Sequence, residues 1–176
     1  MTSDLGNLVA TLMNELVNGS PDPSARTYIM NRGDIGLLAS LDRLSAAAAS
    51  ASHDGGPPIA AHVDHLRYGL SLLNKWAAGE TLRWQEIDWT ASWRKNVVSD
   101  AGWKTLRYEL RRETSAWIDV LRTPRELTEI ESGWVTGTIA HVAYHFGAIR
   151  QIDRAARGPT AEDEARAEEA LRKAES

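Results

Sequence analysis

Residues 133–153 read GWVTGTIAHVAYHFGAIRQID, and this stretch decides the fold class. Its apolar residues recur every three or four positions, which is typical of an amphipathic helix; they are Val135, Ile139, Val142, Phe146 and Ile149. His141 and His145 stand four positions apart, and a helix places such side chains on one face. Neutral imidazole is a common ligand of divalent metals. The stretch therefore predicts a helix that carries two candidate metal ligands.

Apolar periodicity predicts four further helices, over residues 4–18, 35–51, 59–79 and 100–121, and extends the histidine helix over about 134–157. In the first of them the predicted apolar stripe is Leu5, Leu8, Leu12 and Leu16, with Val9. In the helices over 59–79 and 100–121 the predicted stripes are Ile59, Val63, Leu66, Leu70 and Leu73, and Trp103, Leu106, Leu110 and Trp117. No alternation typical of strands is present, so the fold class is all-α. We expect one helical-bundle domain over residues 1–159 with a core at about 34–157, followed by an acidic tail at 160–176. Thr160 and Asp163 form a capping-box pattern, which favours a helix in that tail.

Composition excludes several classes of function. The chain has 176 residues and no cysteine, so it has neither disulfides nor thiolate ligands of its own. The net charge is −4, of which the tail contributes −3, and a nearly neutral body gives no electrostatic basis for binding nucleic acid. No apolar run approaches the ~20 residues of a membrane span. No basic segment precedes LGNLVATLM near the N terminus, so we expect no secretory signal and a cytoplasmic location.

A third ligand is expected from the helix over residues 59–79, which contains His62 and His65. At about 100° per residue, His65 lies on the same flank of its apolar stripe as His141 and His145 do on theirs. His62 lies nearer the centre of its stripe, which is compatible with a core histidine or an alternative ligand. Two histidines four residues apart on a helix are more often surface or core residues than ligands. Three histidines without a fourth protein ligand would leave a position for water or substrate.

Other catalytic motifs do not account for these histidines. HVAYH lacks the glutamate of the zincin motif. The sequence contains no Glu-x-x-His pair, the motif that would indicate a di-iron bundle.

Residues 80–98 form a long connection that contains Trp84, Trp89 and Trp93. A connection of this length inside a compact domain is usually functional or specifically packed.

The segments AAHVDHL (60–66) and HVAYHFGAIRQ (141–151) resemble the DinB/YfiT-like superfamily, and the resemblance covers roughly residues 34–157. The second segment is similar to the pattern H-x-x-x-H-x-G-Q-I, except that Ala148 stands where the family usually has glutamine. The resemblance implies a four-helix bundle, here with an additional N-terminal helix. It also implies that His65, His141 and His145 hold one divalent metal ion.

The sequence is compatible with two functions. The first is a metal-dependent enzyme, either a hydrolase or an S-transferase that uses a low-molecular-weight thiol as cosubstrate; nickel, zinc, iron and manganese all remain candidates. The second is a non-catalytic metal- or ligand-binding bundle related to stress, most simply a homodimer. Thr138 is a candidate hydrogen-bonding partner of a ligand histidine. The candidates for substrate or acid–base contacts, each of which is also compatible with a solvated helix face, are Asp64, Glu109, Glu113, Arg150 and Asp153.

Overall fold

The computed structural model describes residues 3–20, 22 and 25–174, and all the regular structure in these ranges is helical. This confirms the all-α class. The predicted domain and tail also include residues 1, 2, 21, 23, 24, 175 and 176, which lie outside the described residues. The helices are α1 (Ser3–Asn18), α2 (Gly36–Asp42), α3 (Ala46–Ser50), α4 (Ile59–Ala77), α5 (Asp100–Arg122), α6 (Glu129–Ile152) and α7 (Ala161–Ala174). In the described part of the chain, no helix has both the length and the apolar character that crossing a membrane requires.

The four longest helices, α1, α4, α5 and α6, enclose the core. Helix α4 packs against α5 and α6, and α1 packs against the same two helices. The predicted stripes of α4 and α5 are buried, as Leu66 and Trp103 illustrate, except that Leu73 is only partly buried. This packing places the histidine-bearing faces of α4 and α6 next to each other.

The predicted apolar stripe of α1 is correct only in part. Val9 and Leu16 are buried, but Leu5 and Leu8 are 48% and 44% exposed. The buried face is a neighbouring one, which carries Val9, Ala10, Met13, Leu16 and Val17. Both faces have helical spacing, so the periodicity alone does not separate them. Burial selects the face that α1 turns towards α5 and α6.

The predicted helix over residues 35–51 is interrupted. It forms two short helices, α2 and α3, because Ser45 accepts a hydrogen bond from the backbone N–H of Ala48 and starts α3. The interruption leaves the carbonyl oxygen of Leu44 without a helical partner. The indole N–H of Trp103 donates to that oxygen at 2.8 Å, which ties the break to α5.

Helix α6 begins earlier and ends earlier than predicted. Thr128 and Glu131 form a capping box, so the helix starts at Glu129 rather than near Trp134. It ends at Ile152 rather than Arg157, because the Asp153 carboxylate accepts from the backbone N–H of Ala155 and starts a separate 3₁₀ turn. The histidine pair therefore lies in the middle of a regular helix.

Arg150 anchors the end of α6 to the segment before α2. Its guanidinium donates to both carboxylate oxygens of Asp34, at 2.7 and 2.8 Å, and lies over the ring of Phe146. Asp34 is almost fully buried, and its Oδ1 also accepts from the backbone N–H of Gly36. Gly36 and Gly19 have φ of +75° and +76°, and their backbones approach too closely to leave room for a Cβ atom. The buried ion pair thus fixes α6 one turn beyond the histidines.

The segment over residues 80–98 is ordered by two 3₁₀ turns, Trp84–Glu86 and Trp89–Trp93. The second turn packs directly on α4. The side chain of Asp88 starts this turn by accepting from the backbone N–H groups of Thr90 and Ala91. Of the two expectations for this connection, functional or specifically packed, the structure shows specific packing, which brings Ser92 and Trp93 to the α4 histidines.

A candidate metal centre between α4 and α6

Three imidazole nitrogens converge between α4 and α6. The Nε2 atom of His141 lies 3.1 Å from Nε2 of His65 and 2.9 Å from Nε2 of His145. All three residues offer a ligand atom within 4.8 Å of the other two. The structure therefore brings together the three histidines that the sequence selected, from two segments 76 positions apart.

The spacing of these nitrogens fits a shared cation. Imidazole–zinc bonds are about 2.0–2.1 Å long, so two nitrogens on one ion lie about 2.9–3.4 Å apart at octahedral or tetrahedral angles. The observed separations of 2.9 and 3.1 Å fall in this range. A single shared proton cannot satisfy three converging nitrogens, whereas a divalent cation can accept all three lone pairs.

Ser92 fixes the tautomer of His65. The Ser92 hydroxyl donates its proton to the carbonyl oxygen of Trp89 at 2.8 Å. Its oxygen must then accept from Nδ1–H of His65, which lies 2.8 Å away. With the proton on Nδ1, the Nε2 atom of His65 has a free lone pair that faces the other two histidines. A hydrogen bond on the distal nitrogen is how proteins usually orient a ligating histidine.

His62 does the same for His145. Their Nδ1 atoms are 2.9 Å apart, and for Nε2 of His145 to be free its Nδ1–H must donate to Nδ1 of His62. The ring of His62 therefore faces the side of His145 that lies away from the convergence point. The sequence left two interpretations open for His62, and a core histidine that can orient His145 fits this buried position.

All four histidines are held in the neutral form. Burial, together with the neighbouring His141 and His62, lowers the pKa of His65 to about 4, and Asp64 partly opposes this decrease. Burial and the three neighbouring histidines together lower the pKa of His145 to about 3. Burial also lowers the pKa of His62 and His141. At neutral pH the ring nitrogens are therefore available as ligands without competition from protons.

Trp93 covers one side of the cluster. Its ring is stacked on His65 at 4.4 Å between centroids and meets His62 edge-on at 5.3 Å. His145 is also in contact with this indole, at 5.6 Å. His65 and His145 are buried, while His141 is only partly buried. Access to the cluster is consequently from the His141 side.

An apolar cavity of about 290 Å³ opens on that side, and His141 forms part of its wall. Its other walls come from α4, α6 and the 80–98 segment. Thr138 lines the cavity but does not contact a histidine, because its hydroxyl donates to the carbonyl oxygen of Trp134 at 2.7 Å. The candidate partner Thr138 therefore donates to the backbone rather than to a histidine, and Ser92, 27 positions from His65 in sequence, is the hydroxyl that meets a ligand histidine.

The charged candidates for substrate contact are engaged elsewhere. Asp64 pairs with Arg67 at 2.8 Å and with Lys95 at 3.6 Å. Glu113 accepts from the side chains of Asn74 and Arg112. The remaining three are likewise in ion pairs or caps: Glu109 with Arg67, Arg150 with Asp34, and Asp153 with the backbone of Ala155.

The sequence did not predict the contacts of Ser92 with His65 or of His62 with His145, and it indicated Trp93 only as one tryptophan of the connection. Ser92 and Trp93 stand in a segment without periodicity, so their only signal was the density of tryptophans around them.

Comparisons of the chain with models of known protein families, with curated proteins and with solved structures find no match. The arrangement of its own side chains is therefore what indicates function.

Proposed function

We propose that the protein is a metal-dependent enzyme that binds one divalent metal ion through His65, His141 and His145. The observation that carries this proposal is the convergence of three Nε2 atoms at separations of 2.9 and 3.1 Å between the nearest pairs. Supporting it, His65 and His145 each have a hydrogen-bond partner for the distal nitrogen. Nickel, zinc, iron and manganese all accept such a ligand set.

We also propose that the fold is a four-helix bundle of the DinB/YfiT-like type. The four long helices support this, because each of α1 and α4 contacts both α5 and α6. The N-terminal helix is then a member of the bundle rather than an addition to it, since α2 and α3 are only 7 and 5 residues long. The ligand-bearing helices α4 and α6 would be adjacent members.

The proposed reaction is either a hydrolysis or a transfer to a low-molecular-weight thiol. A divalent ion supplies Lewis acidity, which polarises a carbonyl or lowers the pKa of water or a thiol. The chain has no cysteine, so a thiol nucleophile would come from a cosubstrate. The residues of the chain hold and orient: Ser92 and His62 fix ring tautomers, and Trp93 shields one side from water.

A non-catalytic metal-binding protein is the alternative, and a structural ion would normally have four protein ligands. His62 is the nearest further histidine, but its Nδ1 atom is engaged with His145. Among the described residues, the group of potential ligands contains three members. This favours an ion with an open position, and the apolar cavity beside His141 gives a substrate room to reach it.

The test is elemental analysis of the full-length protein purified without chelators. We expect close to one divalent ion per chain, and loss of that ion in the double variant His141→Ala/His145→Ala. His53→Ala is the matched control, because His53 is exposed and lies away from the cluster. Unchanged metal content in the double variant would overturn the site. Metal-loaded protein is then assayed for ester hydrolysis and for thiol conjugation with 2-mercaptoethanol as thiol.

A further inference from the structure

The cavity beside His141 is distinguished by its aromatic walls. Trp84, Trp89 and Trp134 line it, and the rings of Trp84 and Trp134 are 4.6 Å apart between centroids. The aliphatic part of the wall comes from α4 and α6: Leu66, Leu70, Leu73 and Val142. We call this space the tryptophan cavity.

Two glycines keep the tryptophan cavity open. Gly137 on α6 lines it, and a Cβ atom added there would meet nothing within 4 Å. Gly69 on α4 also lines it, and a Cβ atom there would come only into ordinary contact with the ring of Trp89. Glycine inside a helix is unfavourable by about 1 kcal/mol relative to alanine. Two such positions facing one cavity indicate that space there is useful to the protein.

The chemistry of the wall selects an uncharged ligand. Apart from His141, no residue that the structure assigns to this wall has an acidic or basic side chain. The Thr138 hydroxyl gives its proton to the Trp134 carbonyl and offers a ligand no donor. Aromatic and aliphatic walls bind through apolar contact and ring stacking, and a charged group would lose its hydration without compensation.

The size of the cavity limits the ligand. An apolar cavity of about 150 Å³ holds one benzene molecule. The tryptophan cavity, at about 290 Å³, is roughly twice as large and lies near the lower limit of small-molecule sites. One substituted ring, two fused rings or an aliphatic group of similar volume fits this space.

The cavity is continuous with the histidine cluster. His141 belongs to both, and Trp89 lines the cavity while its ring lies 6.5 Å from that of His65. We propose that the tryptophan cavity binds the uncharged apolar group of the substrate. The polar reacting group would then lie beside His141, at the point where the three histidines converge. The second statement rests on the proposed function, whereas binding in the cavity does not.

The test follows 4-fluorobenzyl alcohol by fluorine NMR with full-length protein, both metal-free and metal-loaded. We expect saturable binding in both forms, and weaker binding of 4-fluorobenzoate to the metal-free form because its charge has no partner. Gly137→Leu should weaken binding of the alcohol at least about tenfold, because the new side chain overfills the cavity. Gly133→Leu is the matched control: it lies one turn away on α6, is open at Cβ, and does not line the cavity.

A second variant protects the test against misfolding of the first. Trp89 is 41% exposed, so Trp89→Leu removes an aromatic wall without opening the core, and it should also weaken binding of the alcohol. Equal affinity in wild type, Gly137→Leu and Trp89→Leu would overturn the proposal. If the protein takes up no divalent ion when the metal is supplied and yet binds the alcohol, the proposed function is wrong and the cavity assignment stands.

The link between cavity and cluster has its own readout. In metal-loaded protein, 4-fluorobenzyl thiol should bind more tightly than either 4-fluorobenzyl alcohol or 2-mercaptoethanol. It alone combines a ring for the tryptophan cavity with a thiol for the metal at the histidine cluster. In Gly137→Leu the advantage over 2-mercaptoethanol should disappear. If the advantage persists, the ring lies outside the tryptophan cavity and the proposal is wrong.

Discussion

The Nδ1 atom of His65 lies 2.8 Å from the hydroxyl oxygen of Ser92, although the two residues belong to different segments. Because Ser92 passes its own proton to the carbonyl oxygen of Trp89, the direction of both hydrogen bonds is fixed. The backbone of the 80–98 segment thereby determines which nitrogen of His65 is free. A connecting segment that shows no periodicity in sequence therefore sets the tautomer of a histidine on α4.

Removing the Ser92 hydroxyl should weaken metal binding without abolishing it. Ser92→Ala leaves His65 in place but frees its ring to rotate and change tautomer, which typically costs about 10–100-fold in affinity. The measurement is competition against a chromophoric chelator. Ser71→Ala is the control, since its hydroxyl bonds the carbonyl oxygen of Tyr68 on the same helix. Identical affinities for both variants would show that Ser92 does not orient the ligand.

The two histidines of α4 should differ in their effect on metal binding. His65→Ala removes a ligand and should reduce the metal content to background. His62→Ala removes only the partner of His145 Nδ1, so the ion should be retained with lower affinity. Elemental analysis and calorimetric titration of both variants decide the matter. The opposite order would mean that His62 is the ligand and His65 its support.

The stability of the metal-free protein should fall between pH 6.5 and pH 5. The pKa values of His65 and His145 in the folded state, about 4 and 3, are below the value near 6.5 of an unfolded histidine. In this window the unfolded chain binds more protons than the folded chain, so the free energy of unfolding rises with pH and levels off above 6.5. Urea denaturation at pH 5.0, 5.75, 6.5 and 7.5 measures this dependence.

The matched variants for the pH series are His145→Leu and His53→Ala. The first removes one of the two histidines with the largest depression of pKa and should flatten the dependence. The second removes an exposed histidine and should leave the dependence unchanged. A free energy of unfolding that is constant from pH 5 to 6.5 in wild type would contradict the prediction.

Arg150 should behave as a structural residue rather than a substrate contact. Arg150→Leu leaves the buried Asp34 carboxylate without its cation, and breaking such a pair costs about 3–5 kcal/mol of stability. Arg122→Leu is the control, because its ion pair with Asp119 is exposed and contributes about 0–1 kcal/mol. Denaturant unfolding gives both values. Metal content per folded chain should match wild type, and a variant of normal stability would refute the structural role.

Periodicity predicted most of the helical faces correctly because it is a local property. The stripes of α4 and α5 follow from spacing alone, and so does the pairing of His141 with His145 on one face of α6. Spacing was insufficient for α1, where two apolar faces compete and only contact with α5 and α6 selects one. It was also insufficient at Ser45, whose hydroxyl interrupts a run of residues that all favour helix.

The sequence by itself determined an all-helical chain and the three histidines that share a flank, because side-chain direction on a helix follows from residue number. The tertiary structure alone decided which nitrogen each ring turns inward, that His62 lies against His145, and that tryptophans from the 80–98 segment and from α6 line a cavity beside His141. Those features depend on hydrogen bonds and contacts between segments far apart in the chain. Their geometry is set by how the helices pack, so no local pattern of residues predicts it.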